Sequence, residues 1–445
     1  MHDEATKHLA EMAPLLGGYF AACALPGLFF GGRLLAQRRN RKSALCRDPI
    51  LFGWTPAALF LLLAMLSFAG VPPTLPESFK DAVDALLGPV TLFVGTFAAL
   101  TAAYLGRGYA TRPAVGLTLL HIGFLFFGLA MTDRQFAEQV ARPDNVPIVV
   151  MFFLLAGFTW WALARAVEND RRLEQGLAPR ESEYGERTST WPEVVYLELI
   201  GLLIATSLLI VWSIVLKAPL EDPANPALTP NPAKAPWYFL GLQELLVYFD
   251  PWMAGVVVPV LIIVGLCAIP YLDFNPRGNG YFSIQTRPLA VPLFLFGFFM
   301  LWMLPILIGT FLRGPNWSFF GPFAVHDSGV LPDYENVKLS EWFWGHLVGR
   351  SISEPSGTDE ASRPIAGILL RESPGILLLL IYYVGVPALL LRTRWDNLRR
   401  EMGFFGYASL MLLLMTMFLI PLKMLLRWMF DLSYVVSIPT WNLHL

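Results

Sequence analysis

The sequence predicts an all-α polytopic membrane protein of about ten transmembrane helices, with both termini outside and short interfacial helices in the outer loops. Three observations carry this expectation. Of the 445 residues, 55% are hydrophobic and 15% charged, against roughly 45–50% and about 25% in an average soluble domain. Apolar runs near the length of about 20 residues that crosses a bilayer recur along the whole chain. The basic residues are concentrated in alternate loops, as the positive-inside rule requires.

Ten spans are expected at about residues 14–36, 50–70, 85–105, 113–131, 147–166, 193–217, 253–272, 288–312, 373–392 and 404–427. The first follows an acidic N-terminus (Asp3, Glu4, Glu11) and exceeds the apolar core of a signal peptide, so it is expected to be retained. Alternate loops hold Arg33 to Arg47, Arg107 and Arg112, Arg165 to Arg187, Arg277 and Arg287, and Arg392 to Arg400. Together these carry 19 of the 32 basic residues. That set is expected on the cytoplasmic side. A charged connection from Glu168 to Thr190 links five N-terminal spans to five C-terminal ones. The expected divisions are therefore 1–185, 186–312, an outer aromatic loop at 313–372, and two further spans at 373–445.

Composition and motifs also exclude functions. The formal net charge of −2 offers no footprint for nucleic acid. Cys23, Cys46 and Cys267 are scattered, so the chain by itself holds no CxxC zinc site, covalent haem or iron–sulfur cluster. His121, on the fourth span, is expected to make a helix-packing hydrogen bond. The other five histidines fall in termini or outer loops.

Two long outer loops remain as places for function. Residues 218–252 begin with five prolines between Pro219 and Pro232, which favour an extended path, and continue in a run from Trp237 to Phe249 that suits a short helix. Trp237, Tyr238 and Phe239 fit an interfacial aromatic belt or the wall of a pocket. Residues 313–372 hold Trp317, Phe319, Phe320, Trp342, Phe343 and Trp344, either a surface belt or a docking face, and an acidic stretch, Glu354, Asp359 and Glu360, able to steer a cationic partner.

In the first loop Pro223, Ala224, Asn225 and Pro226 precede Thr229 and Pro230, then Pro236, Trp237, Tyr238 and Phe239, while Trp191-Pro192 opens the preceding span. Over about residues 190–312 this pattern resembles the C-terminal half of cytochrome b, which is the separate subunit IV of cytochrome b6f complexes. The resemblance implies a membrane subunit of a cytochrome bc-type quinol:cytochrome c oxidoreductase in the bacterial inner membrane. Pro236, Trp237, Tyr238, Phe239 and Leu240 would line an outer quinol-oxidation site.

A diheme core needs four intramembrane histidines, which this chain lacks. The resemblance therefore implies b haems on a cytochrome b N-terminal-type subunit and a 2Fe–2S cluster on a Rieske protein. A c-type cytochrome and a dimeric complex in the lipid membrane complete the expected partners. Where the family has a glutamate before Trp-Tyr, this chain has Pro236, which can neither take up nor donate a proton. Glu244, two helical turns beyond Trp237, is the candidate catalytic base, with Tyr238 to hydrogen-bond the quinol head and Gln243 or Asp250 to lead toward water. The alternatives are a structural subunit with a degenerate quinol site, which Pro236 favours, and a five-plus-five-span secondary transporter.

Overall fold

A computed structural model describes residues 2–40, 53–184, 188–215, 223, 225–227, 229–273, 282–332, 335–350, 365–393, 395–439 and 443–445. Its described residues are almost wholly helical. Eight helices are long and apolar enough to cross a membrane: Lys7–Arg33, Pro113–Ala130, Val146–Glu174, Thr190–Val215, Met253–Leu272, Ala290–Leu312, Ile365–Leu390 and Trp395–Phe430. A bent pair, Glu77–Leu86 and Pro89–Leu105, makes a ninth if counted as one broken span. The chain is a multi-pass membrane protein.

Among the described residues the count falls short of the expected ten at the second and third spans. Thr55–Phe68 is only 14 residues long. It ends in a Schellman closure, with Val71 N bonding Leu66 O at 3.0 Å and Gly70 N bonding Ser67 O at 2.9 Å; Gly70 takes φ +79°. The expected start of this span, residues 50–52, lies outside the described residues. The third bends by 81° at Leu87-Gly88-Pro89, where proline removes a backbone donor and restricts the residue before it. The final helix is divided at Gly403, whose φ of 76° and ψ of 173° leave the helical region, so its apolar part starts where the tenth span is expected.

Prolines shape several other spans. Helical turns just before Pro259, Pro305 and Pro387 widen to i→i+5 bonding at Met253–Val257, Phe296–Met303 and Ile381–Gly385. A missing N–H is tolerated in a membrane helix when the local backbone re-satisfies its carbonyls in this way.

The residues form two compact units. The first comprises Met1–Asp81, Ala102–Pro230 and Gly278–Pro288. Its core is the crossing of Lys7–Arg33 with Thr55–Phe68, built on Leu16, Phe20, Cys23, Ala24, Ala57 and Phe60. Small residues permit the approach: a Cβ on Gly53 would lie 2.5 Å from Gly31 Cα, and one on Gly27 would lie 2.8 Å from Gly53 O. Close packing of backbones replaces the hydrophobic drive that lipid does not supply between helices. Gly53→Ala is expected to lower stability by about 1–3 kcal/mol, as overpacking does. Gly18→Ala, with open space around its Cβ, should leave the thermal unfolding of the detergent-solubilised protein unchanged. His121 belongs to this unit. Rather than the expected hydrogen bond to another helix, its buried ring packs at 5.5 Å and 36° against Phe60.

The second unit comprises Ala82–Thr101, Asn231–Arg277 and Leu289–Leu445. Leu245, Tyr248, Phe249, Met300, Leu304 and Met424 lie at its core, with the Tyr248 and Trp428 rings perpendicular at 5.4 Å. At one end of this core Val337–Lys338 pairs in parallel with Leu432–Tyr434, and Ser437–Ile438 pairs antiparallel with Leu443–His444.

Candidate functional site around the Trp237 helix and Glu244

The proline-rich approach to Trp237 is fastened by side chains, because extended proline backbone makes few bonds of its own. Asn231 and Asn316 exchange two bonds, Nδ2 of Asn231 to Oδ1 of Asn316 at 2.9 Å and the Asn316 backbone N to Asn231 Oδ1 at 2.6 Å. Lys234 Nζ donates to Thr310 O at 2.8 Å. The helix Trp237–Leu245 then begins directly after Pro236. Gln243 reaches back to its start, accepting from Ala235 N and donating to Ala233 O, each at 2.8 Å. Both polar ends of Gln243 thus serve the loop, and Asp250 accepts from Trp252 N at 3.0 Å to open the next helix.

Helical phase decides what this segment buries. Leu240, Gly241, Glu244 and Leu245 form the inward side. A Cβ on Gly241 would stand 3.3 Å from Ile306 Cγ1, and one on Gly309 3.4 Å from Leu240 Cβ, so the helix lies closely across the Ala290–Leu312 span. Tyr238 and Phe239 point outward and are 46% and 51% exposed; Trp237, in the first turn, is 38% exposed. Their rings form a connected edge, Trp237 to Tyr238 at 5.7 Å and Tyr238 to Phe239 at 4.8 Å.

Glu244 is wholly buried. Arg313, 1% exposed, meets it through two parallel bonds, Nη2 to Oε1 at 2.7 Å and Nε to Oε2 at 2.9 Å. Tyr248 OH donates to Oε1 at 2.7 Å and Trp317 Nε1 to Oε2 at 3.2 Å. A carboxylate offers about four lone-pair sites, and four donors occupy them. Arg313 Nη1 also donates to Trp317 O at 2.8 Å, and its guanidinium stands 5.8 Å from the Phe319 ring centre. Asn316 and Trp317 both take φ of 57°, a left-handed conformation that costs non-glycine residues energy and persists where surrounding contacts impose it. Here it turns both the Trp317 indole and its carbonyl onto the ion pair.

Of the residues singled out in the sequence, the structure joins Trp237, Tyr238 and Phe239 into one exposed edge and places Leu240 in the packing behind them. Glu244, expected near the interface on the aromatic face, lies instead in the interior. Gln243, expected on a route to water, is a clamp on the loop. Arg313, Tyr248 and Trp317 were not anticipated as its partners. The signal for them was an acid flanked by Leu240, Leu245 and Tyr248, since a buried carboxylate requires a cation and donors. Among the described residues no three His, Cys, Asp or Glu side chains come together as a metal site. Glu354, Asp359 and Glu360 lie outside the described residues.

Residues 223–320 match the family model described as cytochrome b (C-terminal)/b6/petD. The match encloses the Trp237 helix, Glu244, Arg313 and Trp317; residues 1–222 and 321–445 lie outside it. No solved structure matches the chain.

Proposed function

We propose, on the premise that residues 223–320 are a cytochrome b C-terminal/b6/petD domain, that this chain is a membrane subunit of a cytochrome bc-type quinol:cytochrome c oxidoreductase and supplies a wall of its outer quinol-oxidation site. The observation that carries the reading is the exposed edge Trp237-Tyr238-Phe239 on a helix held from behind by the Glu244–Arg313 pair. Flat aromatic surface suits a quinol ring, and the Tyr238 hydroxyl provides one hydrogen bond to its head. Pro236 adjoins these rings at the head of the helix, and Leu240, buried against the Ala290–Leu312 span, backs the wall from within.

The family implies that a quinol gives one electron to a Rieske 2Fe–2S cluster and one to a b haem, releasing two protons outside. His121, the histidine at the middle of a span, has its ring against Phe60, which does not suit a haem face; the b haems belong to a partner chain of cytochrome b N-terminal type. The arginine-rich loops are taken as cytoplasmic, which puts the Trp237 loop on the outer side of a bacterial inner membrane. A c-type cytochrome receives the electrons, and the complex is dimeric.

Glu244 serves this wall as a positioning residue. Taking a quinol proton at its carboxylate would leave Arg313 as an uncompensated buried cation, so the proton leaves by the exposed rim at Tyr238. In the purified complex Tyr238→Phe and Trp237→Leu are expected to slow quinol:cytochrome c turnover by about tenfold to hundredfold. The haem spectrum and subunit composition should stay unchanged, because both side chains are exposed. Normal turnover in both variants would place the quinol elsewhere. Pro236 favours a second reading, a structural subunit with a degenerate site; tryptophan quenching by a quinone analogue that is equal in wild type and Trp237→Leu would support it.

A further inference from the structure

The first unit contains a polar cavity of about 300 Å³ lined by Arg107, Gly108, Asp170, Arg171, Glu174 and Gln285, with Leu105 at its apolar lip. It lies where the helices Pro89–Leu105 and Val146–Glu174 both end. Apolar turns give way there to Arg165, Glu168, Arg171 and Arg172, so the cavity stands at the level of lipid headgroups whichever side of the membrane it faces. The exposed Leu154, Phe158 and Trp161 on Val146–Glu174 leave an apolar path alongside.

The lining is preorganised. Arg107 donates to Tyr104 O at 3.2 Å and stands 5.3 Å from the Tyr104 ring centre. Asp170 Oδ1 accepts from Ser283 Oγ at 2.7 Å, Ile284 N at 3.0 Å and Gln285 N at 3.1 Å, which fixes the segment carrying Gln285. The Gln285 side-chain amide donates to Glu174 Oε1 at 2.8 Å. Two guanidinium groups and two carboxylates leave the lining with no net charge. A purely anionic ligand would gain Arg107 and Arg171 but oppose Glu174, whereas a ligand carrying a phosphate and an ammonium satisfies both signs.

We propose that this cavity binds the headgroup of a zwitterionic phospholipid with a primary ammonium, its phosphate between Arg107 and Arg171 and its ammonium toward Glu174. The site is independent of the quinol reading; of its lining only Gln285 falls within the cytochrome b C-terminal match.

The test is native mass spectrometry of the full-length protein, purified with its complex in mild detergent, delipidated and titrated with phosphatidylethanolamine, phosphatidylglycerol or inorganic phosphate. Wild type is expected to retain one phosphatidylethanolamine with about tenfold preference over phosphatidylglycerol. Gly108→Phe, whose Cβ points into open space, should fill the cavity and cut retention about tenfold without removing a charge. Arg171→Gln, at an exposed position, should do the same without filling it. Glu174→Gln should abolish the preference between the two lipids while keeping both bound. Equal binding of the two lipids by wild type overturns the zwitterionic assignment. Retention in Gly108→Phe overturns the cavity, and displacement of the lipid by inorganic phosphate at equal concentration makes this a soluble-anion site instead.

Discussion

Arg313→Met is expected to cost about 3–5 kcal/mol, enough to lose the subunit from the assembled complex, because it leaves Glu244 as a buried carboxylate with its cation removed. Tyr248 OH and Trp317 Nε1 would still donate to that carboxylate, but neither carries charge. The partner substitution Glu244→Leu alone should be as damaging, since it strands Arg313. The double variant, Glu244→Leu with Arg313→Met, should recover most of the loss, because replacing both members of a buried pair by apolar groups of similar size is often neutral or stabilising. Thermal unfolding of the solubilised protein, read beside subunit stoichiometry, completes the cycle. Glu244→Gln then separates the anchor from the base. As an anchor it lowers stability in step with Arg313→Met; as a proton acceptor it would leave a stable, assembled complex that no longer turns over quinol.

The membrane architecture was legible because about 20 apolar residues in a row have few other uses, and eight such runs reappear as helices of spanning length. What escaped was where a run is interrupted by backbone chemistry. Gly70 ends one helix at 14 residues and Pro89 bends another by 81°, neither of which alters hydropathy averaged over a window. The spacing of Gly27 and Gly31, four residues apart and facing Gly53, carried a helix-crossing signal that a count of apolar residues passes over. At the site, the order of residues located the Trp237 helix, but face and partner were harder. A separation of seven positions puts Trp237 and Glu244 on one side of a helix, yet the first turn leaves Trp237 38% exposed while Glu244 is sealed. An interfacial helix was expected to turn its acid to water. This one turns its aromatic rings out and its acid in, because the cation that makes the inward position affordable lies 69 residues away in sequence.

Gly375→Ala is the second substitution with a large expected effect. The helix Ile365–Leu380 passes so close to the strand region that follows the last span that a Cβ on Gly375 would collide with Val435 O. The approach is far inside any contact a side-chain carbon makes, and the atom it meets is backbone, so the strand must lift. It is tied down two residues later: Ser437 N donates to Glu372 Oε2 at 3.0 Å, and Arg371 Nη2 donates to Ser437 O at 3.1 Å. Arg371 and Glu372 are themselves buried and joined at 2.9 Å. Lifting the strand therefore removes two charge-assisted bonds and admits water to an apolar cluster of Ile368, Leu432, Val435, Val436 and Ile438. Overpacking and broken bonds together are worth about 3 kcal/mol or more. Amide hydrogen exchange at Val436 and Ser437 reads the event directly, with protection expected to fall by at least about a hundredfold. Gly367→Ala on the same helix, where nothing lies within 4 Å of the added carbon, should leave that protection intact. Equal protection in the two variants would mean that the backbone accommodates the added carbon without releasing Ser437 from Glu372 and Arg371, and that the close approach at Gly375 does not govern the strand.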